Sequence, residues 1–169
     1  MHELSFRKDI LPLKDKLFRL AFRITQSRQE AEDVVQETMM RVWCKREEWG
    51  LLGSLEAYCL TVAKNLSVDR KERMDARTVD LSVEIDCVSG GSNPYDRLVS
   101  KDHLTVVKHL VDELPEKQRL MMHLREVEGK SYKEIASLMK VSEEQVKVNL
   151  FRARQKVKQQ FLEIDKYGV

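Results

Sequence analysis

The residue types in this chain suit recognition rather than bond-breaking. The densest set lies between Ser142 and Gln160, where Lys147, Arg152, Arg154, Lys156 and Lys158 stand against Glu143 and Glu144. Cations at that density suit phosphate oxygens and the acceptor atoms of bases. A second basic set, Lys64, Arg70, Lys71 and Arg73 with Asn65 among them, ends an earlier predicted helix. It reads either as a solvated helix end that complements the dipole or as a second nucleic-acid surface. Asp33, Gln36 and Glu37 form an acidic set on one side of a third helix, read as a solvated face or as a dock for a basic partner. Residues that make or break bonds are scattered. Cys44, Cys59 and Cys87 form no C-x-x-C pair and have no His at ligand spacing, which argues against a disulfide framework or a zinc site. His103, His109 and His123 do not cluster, and no Gly-rich phosphate loop, nucleophile elbow or HExxH occurs. The expectation is a chain with no catalytic residue, no cofactor and no metal.

Positioning falls to helices. Ser131 opens a Ser-x-x-Glu pattern ending at Glu134, and Ser142 a Ser-x-x-Gln pattern ending at Gln145. Both are capping boxes, in which two orphan N–H groups at a helix start are satisfied reciprocally. Their spacing leaves room for a helix of about two turns and a tight connection. Ile135, Ala136, Leu138 and Met139 give the first helix a buried side; Val146, Leu150 and Ala153 do so for the second. Ala136 is small where the two should cross. This is the layout of a helix-turn-helix, whose second helix enters the DNA major groove, and it favours DNA binding over a merely solvated basic face. Lys140 holds the turn position where Gly is usual, so a non-Gly residue is expected at positive φ, at a cost of about 1 kcal/mol.

Upstream, Leu17, Leu20, Ala21 and Ile24 predict a helix over 14–25, with Phe18 and Phe22 beside them. Ser27 opens another box, and a helix is expected from there to about Trp49 with Val34, Val35, Met39, Val42 and Trp43 on its apolar side. Trp43 and Trp49 read as core and edge packing. Gly50 and Gly53 break the chain before a third helix, Ser54 to about Arg73, which packs through Leu55, Tyr58, Cys59, Val62, Ala63, Leu66 and Val68. The stretch 75–93 reads as an acidic linker, containing Ser89–Pro94 as a flexible run. A helix then runs from Pro94 to Asp112, and another from Pro115, placed in its first turn, to a stop at Gly129. Leu120, Met121, Leu124 and Val127 are expected to pack under the helix-turn-helix.

The fold class is therefore all-α: two small helical domains, 1–74 and 94–169, joined by the flexible acidic linker 75–93. With 30 Lys and Arg against 28 Asp and Glu, net charge is only +2, so nucleic-acid binding must come from local segregation of charge. The N-terminus lacks an uninterrupted apolar run and no stretch reaches bilayer length, so the protein is expected to be cytoplasmic.

Three segments in this order, AEDVVQETMMRVW, AYCLTVAKNLSVDRKER and LPEKQRLMMHLREVEGKSYKEIASLMKVSEEQVKVNLFRARQKV, resemble the sigma-70 family of bacterial RNA polymerase initiation factors. The chain looks most like the compact extracytoplasmic-function (ECF) group, which keeps only regions 2 and 4, over roughly Leu17–Arg73 and Leu98–Phe161. The resemblance implies a promoter-specificity subunit that binds core polymerase (the β′ clamp helices and the β flap) and promoter DNA. It implies that Asp33, Gln36 and Glu37 dock on the clamp helices. Asn65 would lie at a pocket receiving a flipped −10 base, with Lys64, Arg70, Lys71 and Arg73 gripping the backbone nearby. Lys147, Asn149, Phe151 and Arg152 would face the −35 major groove, with Arg154 and Lys156 reaching phosphate. The linker would thread toward the RNA path. An anti-sigma factor would suit an apolar groove between the domains, though nothing in the sequence demands one. The chain departs from the family at Tyr58-Cys59, where Trp-Leu is usual, at Lys140, and at Val148, where a small polar residue is frequent. The competing reading is a two-domain helix-turn-helix regulator acting as a dimer without polymerase.

Overall fold

The computed structural model describes residues 4–80 and 103–166, and among these every regular element is helical. The chain divides into two compact units between Asp80 and Leu81.

The first unit begins with a π-helical turn, Phe6–Ile10, and a 3-10 turn, Leu11–Leu13, which lead into α1, Lys14–Thr25. Leu17, Leu20, Ala21 and Ile24 of α1 are buried, as their i, i+3, i+4, i+7 spacing requires. Gln26 reverses the chain with φ +55°, and Ser27 caps α2, Arg28–Cys44, by accepting from the Glu30 N–H at 3.3 Å. Ala31, Val34, Val35 and Val42 of α2 and Cys59, Leu60, Ala63 and Leu66 of α3, Leu55–Asp80, complete the core. Buried hydroxyls of Thr25, Thr38 and Ser67 each donate to the carbonyl four residues earlier, at 2.8, 2.7 and 2.6 Å, so the core holds them without an unmet donor. Removing one large side chain here, as in Leu17→Ala, costs on the order of 2–5 kcal/mol.

Two boundaries differ from the sequence reading. The helix expected to reach Trp49 stops at Cys44 and gives way to a 3-10 turn, Arg46–Leu51. The tighter path lets the buried Trp49 fold back so that its Nε1 donates to the Val42 carbonyl at 2.8 Å. In a continuous α-helix the two residues would lie about 10 Å apart along the axis. Trp43 meets Trp49 edge-on at 6.1 Å but stays 44% exposed, the edge of that pair. At the other end, α3 continues through Asp80 instead of stopping near Arg73. Residues 75–80 of the expected linker are thus helix, and its remainder lies outside the described residues.

The second unit comprises α4, His103–Asp112; α5, Glu116–Met122, which runs into a π-helical turn, His123–Val127; α6, Tyr132–Met139; and α7, Glu143–Lys166. Residues 94–102 of the helix expected from Pro94 lie outside the described residues. Pro115 is the residue before α5, with φ −51° and ψ 143°, one step earlier than its expected place in the first turn. Leu120, Met121 and Leu124 are buried as expected, but Val127 is 52% exposed. The π turn, closed by the Glu128 N–H on the His123 carbonyl at 3.1 Å, inserts one residue and rotates the chain beyond it by about 100°. Gly129 then takes φ +66°, the left-handed stop that its position suggested. The last helix runs past Lys158 because Val157, Phe161 and Ile164 carry its apolar stripe onto Val106 and Leu110 of α4.

Candidate nucleic-acid and partner interfaces

In the first unit, α2 and α3 lie side by side and antiparallel. Arg70, just past the middle of α3, reaches the first half of α2, while Tyr58 and Asn65 line a groove with Arg41 and Lys45 at its end. Asp33 and Gln36 are exposed on α2, and Glu37 is half-buried. This acidic face carries an internal cation. Arg70 Nη1 is 2.8 Å from Glu30 Oε2 and 3.6 Å from Asp33 Oδ2, and its Nη2 is 3.2 Å from Glu37 Oε2. The other Glu37 oxygen accepts from Arg41 Nη2 at 2.7 Å. The Arg70 guanidinium, with Arg41, holds the Glu37 carboxyl below the usual carboxylate range, and the Glu30 and Glu37 carboxylates raise Arg70. Three acids at i, i+3 and i+7 would repel one another; one planar fork among them offsets that repulsion.

This geometry gives Arg70 a place inside the unit. The family resemblance groups it with the −10 contacts, but its side chain is only 26% exposed and is engaged by three carboxylates of α2. Of the other residues in that group, Lys64 is half-buried and Asn65 exposed. Lys71 lies 3.5 Å from Asp75, and Arg73 lies 2.9 Å from Asp69, both along the helix surface. Asn65 and Tyr58 share a groove of about 510 Å³ with Glu37, Met40, Arg41, Cys44, Lys45 and Val62. The sequence reading missed Arg41 and Lys45 as neighbours of Asn65, since nothing in a linear chain says which flank of α2 faces α3. Cys44 is exposed; Cys59 is buried, and burial beside Glu56 pushes its thiol up to about 11. Cys87 lies outside the described residues.

In the second unit both capping boxes are complete. Ser131 Oγ accepts from the Glu134 N–H at 3.1 Å and Glu134 Oε2 from the Ser131 N–H at 2.8 Å; the Ser142–Gln145 pair does the same at 3.1 and 3.3 Å. Lys140 takes φ +56° and ψ +46°, and its own N–H and that of Val141 both donate to the Ala136 carbonyl, the latter at 3.0 Å. The expected left-handed turn is thus built from a lysine. Ala136, Val146 and Leu150 are buried in the helix-turn-helix, and Ala153 is buried in the cluster with Val106 and Leu110 of α4.

The opposite side of α7 is open to solvent. Lys147 and Arg152 are exposed, with Val148 40% and Phe151 64% exposed between them. Asn149 is half-buried, and its Nδ2 donates to the Gln145 carbonyl of its own helix at 2.7 Å. Arg154, expected among the DNA contacts, is paired within its own unit. Its Nη2 lies 2.7 Å from Glu126 Oε1, and bonds to Glu126 and Tyr132 raise its pKa. Arg125 stacks over the Tyr132 ring at 4.8 Å and donates to the Lys130 carbonyl at 2.9 Å, fixing the approach to α6. Among the described residues no group of three or more His, Cys, Asp or Glu is placed to hold a metal ion, and no helix is long and apolar enough to cross a membrane.

Comparison with known proteins matches both units. The family model described as Sigma-70 region 2 matches residues 10–77, and that described as Sigma-70, region 4 matches residues 104–157. The chain is 30% identical over 162 residues to the ECF RNA polymerase sigma-E factor of Escherichia coli (strain K12), covering 90% of this chain and 84% of that one. It is 26% identical over 160 residues to the ECF RNA polymerase sigma factor SigW of Bacillus subtilis (strain 168), covering 89% and 86%. Among solved structures, the sigma factor RpoE from Bartonella quintana, co-crystallised with the anti-sigma factor NepR, has a TM-score of 0.67 at 24% identity, covering 95% of this chain and 98% of that one. That likeness establishes the fold.

Proposed function

This chain belongs to the ECF group of the sigma-70 family, a promoter-specificity subunit of RNA polymerase, and on that premise we propose how its residues divide the work. Residues up to about Asp80 act as region 2 and the second unit as region 4. Asp33 and Gln36, exposed on α2, meet the β′ clamp helices, with Glu37 beside them. Asn65 captures an unstacked −10 base through the donor and acceptor of its amide. Lys64, Lys71 and Arg73 hold the backbone near it. Lys147, Phe151 and Arg152 face the −35 major groove; Asn149 supports them from the flank. Arg70 and Arg154 leave the DNA-contact set and serve as internal struts. The β flap is the expected partner of the second unit.

The observation that carries this reading is the outward face of α7. Two exposed cations and two exposed apolar side chains stand on a helix fixed by a complete cap and a closed turn. Cations read guanine or phosphate, and apolar groups read thymine methyls. The chain contributes binding energy and no bond chemistry of its own, and its place of work is the cytoplasm. An anti-sigma factor is a proposed regulator, since a related sigma factor has been crystallised with one.

The test is run-off transcription on a library of genomic upstream fragments, with core polymerase in the presence and absence of this chain. Specific transcripts are expected only when both are present. Tight binding of the chain alone to a palindromic site, with no polymerase dependence, would overturn the reading in favour of a dimeric regulator.

A further inference from the structure

The groove between α2 and α3 has two unlike walls. α3 supplies Tyr58, Val62 and Asn65; α2 supplies Met40, Arg41 and Lys45. Arg41 is 57% exposed, and its guanidinium is held at 2.7 Å by Glu37, whose second oxygen is held by Arg70. The carboxylate is therefore fixed from two sides, and the Arg41 fork is oriented before any ligand arrives. Lys45, at the end of α2, is exposed next to it. Among the described residues that line this groove, Glu37 is the single acid, and both of its oxygens are engaged by arginines. The groove thus combines an apolar floor, an amide, an aromatic ring and a cationic wall. That set matches one unstacked nucleotide: base on Met40, Val62 and Tyr58, base edge on Asn65, phosphate on the α2 side.

We infer that Arg41 and Lys45 form the phosphate-binding wall of this groove, so that single-stranded −10 DNA is held between α2 and α3 and not by α3 alone. The inference rests on the reading of Asn65 as the base-capturing residue. Lys45 has a plainer account, because a cation at a helix C-terminus complements the dipole. Arg41, in the last turn of α2, shares that account; the dipole does not explain its place in the groove wall beside Asn65 or its pairing with Glu37.

The experiment uses the full chain with saturating core polymerase and the labelled non-template −10 strand of a promoter found by run-off transcription. Affinity is measured across a salt series for Arg41→Ala with Lys45→Ala, for Arg41→Lys, and for Asn65→Ala. The double variant is expected to bind about tenfold more weakly and to flatten the slope of log K against log salt by about 1.4, the value for two phosphates on a single strand. Arg41→Lys should keep the slope, because charge and not shape carries this contact. Weaker binding with an unchanged slope would make Arg41 a packing residue and overturn the inference, as would unchanged affinity. Loss of core-polymerase affinity with intact strand binding would assign Arg41 to the docking face, and capture of an acidic peptide in place of DNA would assign the groove to a protein; either outcome also overturns it. If Asn65→Ala has no effect while the double variant does, the base-capture reading fails and the cationic wall stands.

Discussion

Arg70 lies four residues after Leu66 and seven after Ala63, both buried, so its register is that of the packed side of α3. Composition groups it with Lys71 and Arg73; periodicity separates it from them, and the sequence holds that signal. Arg70→Ala should remove one ion-pair hub and leave three repelling carboxylates on α2. With partial exposure discounting each pair, the loss is on the order of 1–2 kcal/mol, which for a unit of this size lowers the melting temperature by several degrees. A thermal melt followed by circular dichroism checks this; an unchanged midpoint would mean that solvent already screens the cluster. Asn65→Ala should weaken promoter opening more than closed-complex formation, because only the open complex presents an extruded base. Permanganate reactivity of the −10 thymines reports it, and equal reactivity in both proteins would remove Asn65 from that role. Arg152 is exposed and its neighbours on the helix surface include Val148, where the family more often has a small polar residue. If Arg152 reads a base, Arg152→Ala costs about 1–3 kcal/mol at promoters carrying that base and little elsewhere. Comparing a set of −35 variants decides this, since a uniform loss marks a phosphate contact.

The turn between α6 and α7 is an element whose geometry outweighs its own sequence. Lys140 occupies the left-handed region without glycine's freedom because the Ala136 carbonyl and two capped helix ends determine the path. Lys140→Gly should relieve that strain and stabilise the second unit by about 0.5–1 kcal/mol, offset partly by the greater freedom of glycine in the unfolded chain. Denaturant titration gives the sign, and a destabilised variant would show that the entropy of the unfolded chain dominates. The π turn at His123–Val127 is the counter-example. It shifts one residue of register and exposes Val127, which regular spacing would bury. A local insertion of that kind has no marker in side-chain periodicity, because it arises from how α5 must meet α6.

For the whole molecule the weak net charge of +2 hides strong segregation and strong internal use of charge. Arg70 and Arg154 are tied to carboxylates of their own units, and Lys71 and Arg73 face acids one turn away. The exposed cations of α7 that remain before its acidic end at Glu163 and Asp165, namely Lys147, Arg152, Lys156 and Lys158, are few. Binding of the chain alone to duplex DNA should therefore be weak, with log K falling against log salt with a slope no steeper than about −4. Fluorescence anisotropy over a salt series measures it, and a markedly steeper slope would return the struts to the DNA-contact set. By itself the sequence determined the two-unit helical plan, the capping boxes, the buried stripes of α1, α2 and α3 and the left-handed lysine, because each arises from interactions within a few residues along the chain. The tertiary structure alone decided which carboxylates hold Arg70 and Arg154, and which flank of α2 lies against Asn65. Those facts depend on side chains forty positions apart in the sequence, such as Arg70 and Glu30, meeting across a helix interface that no local spacing encodes.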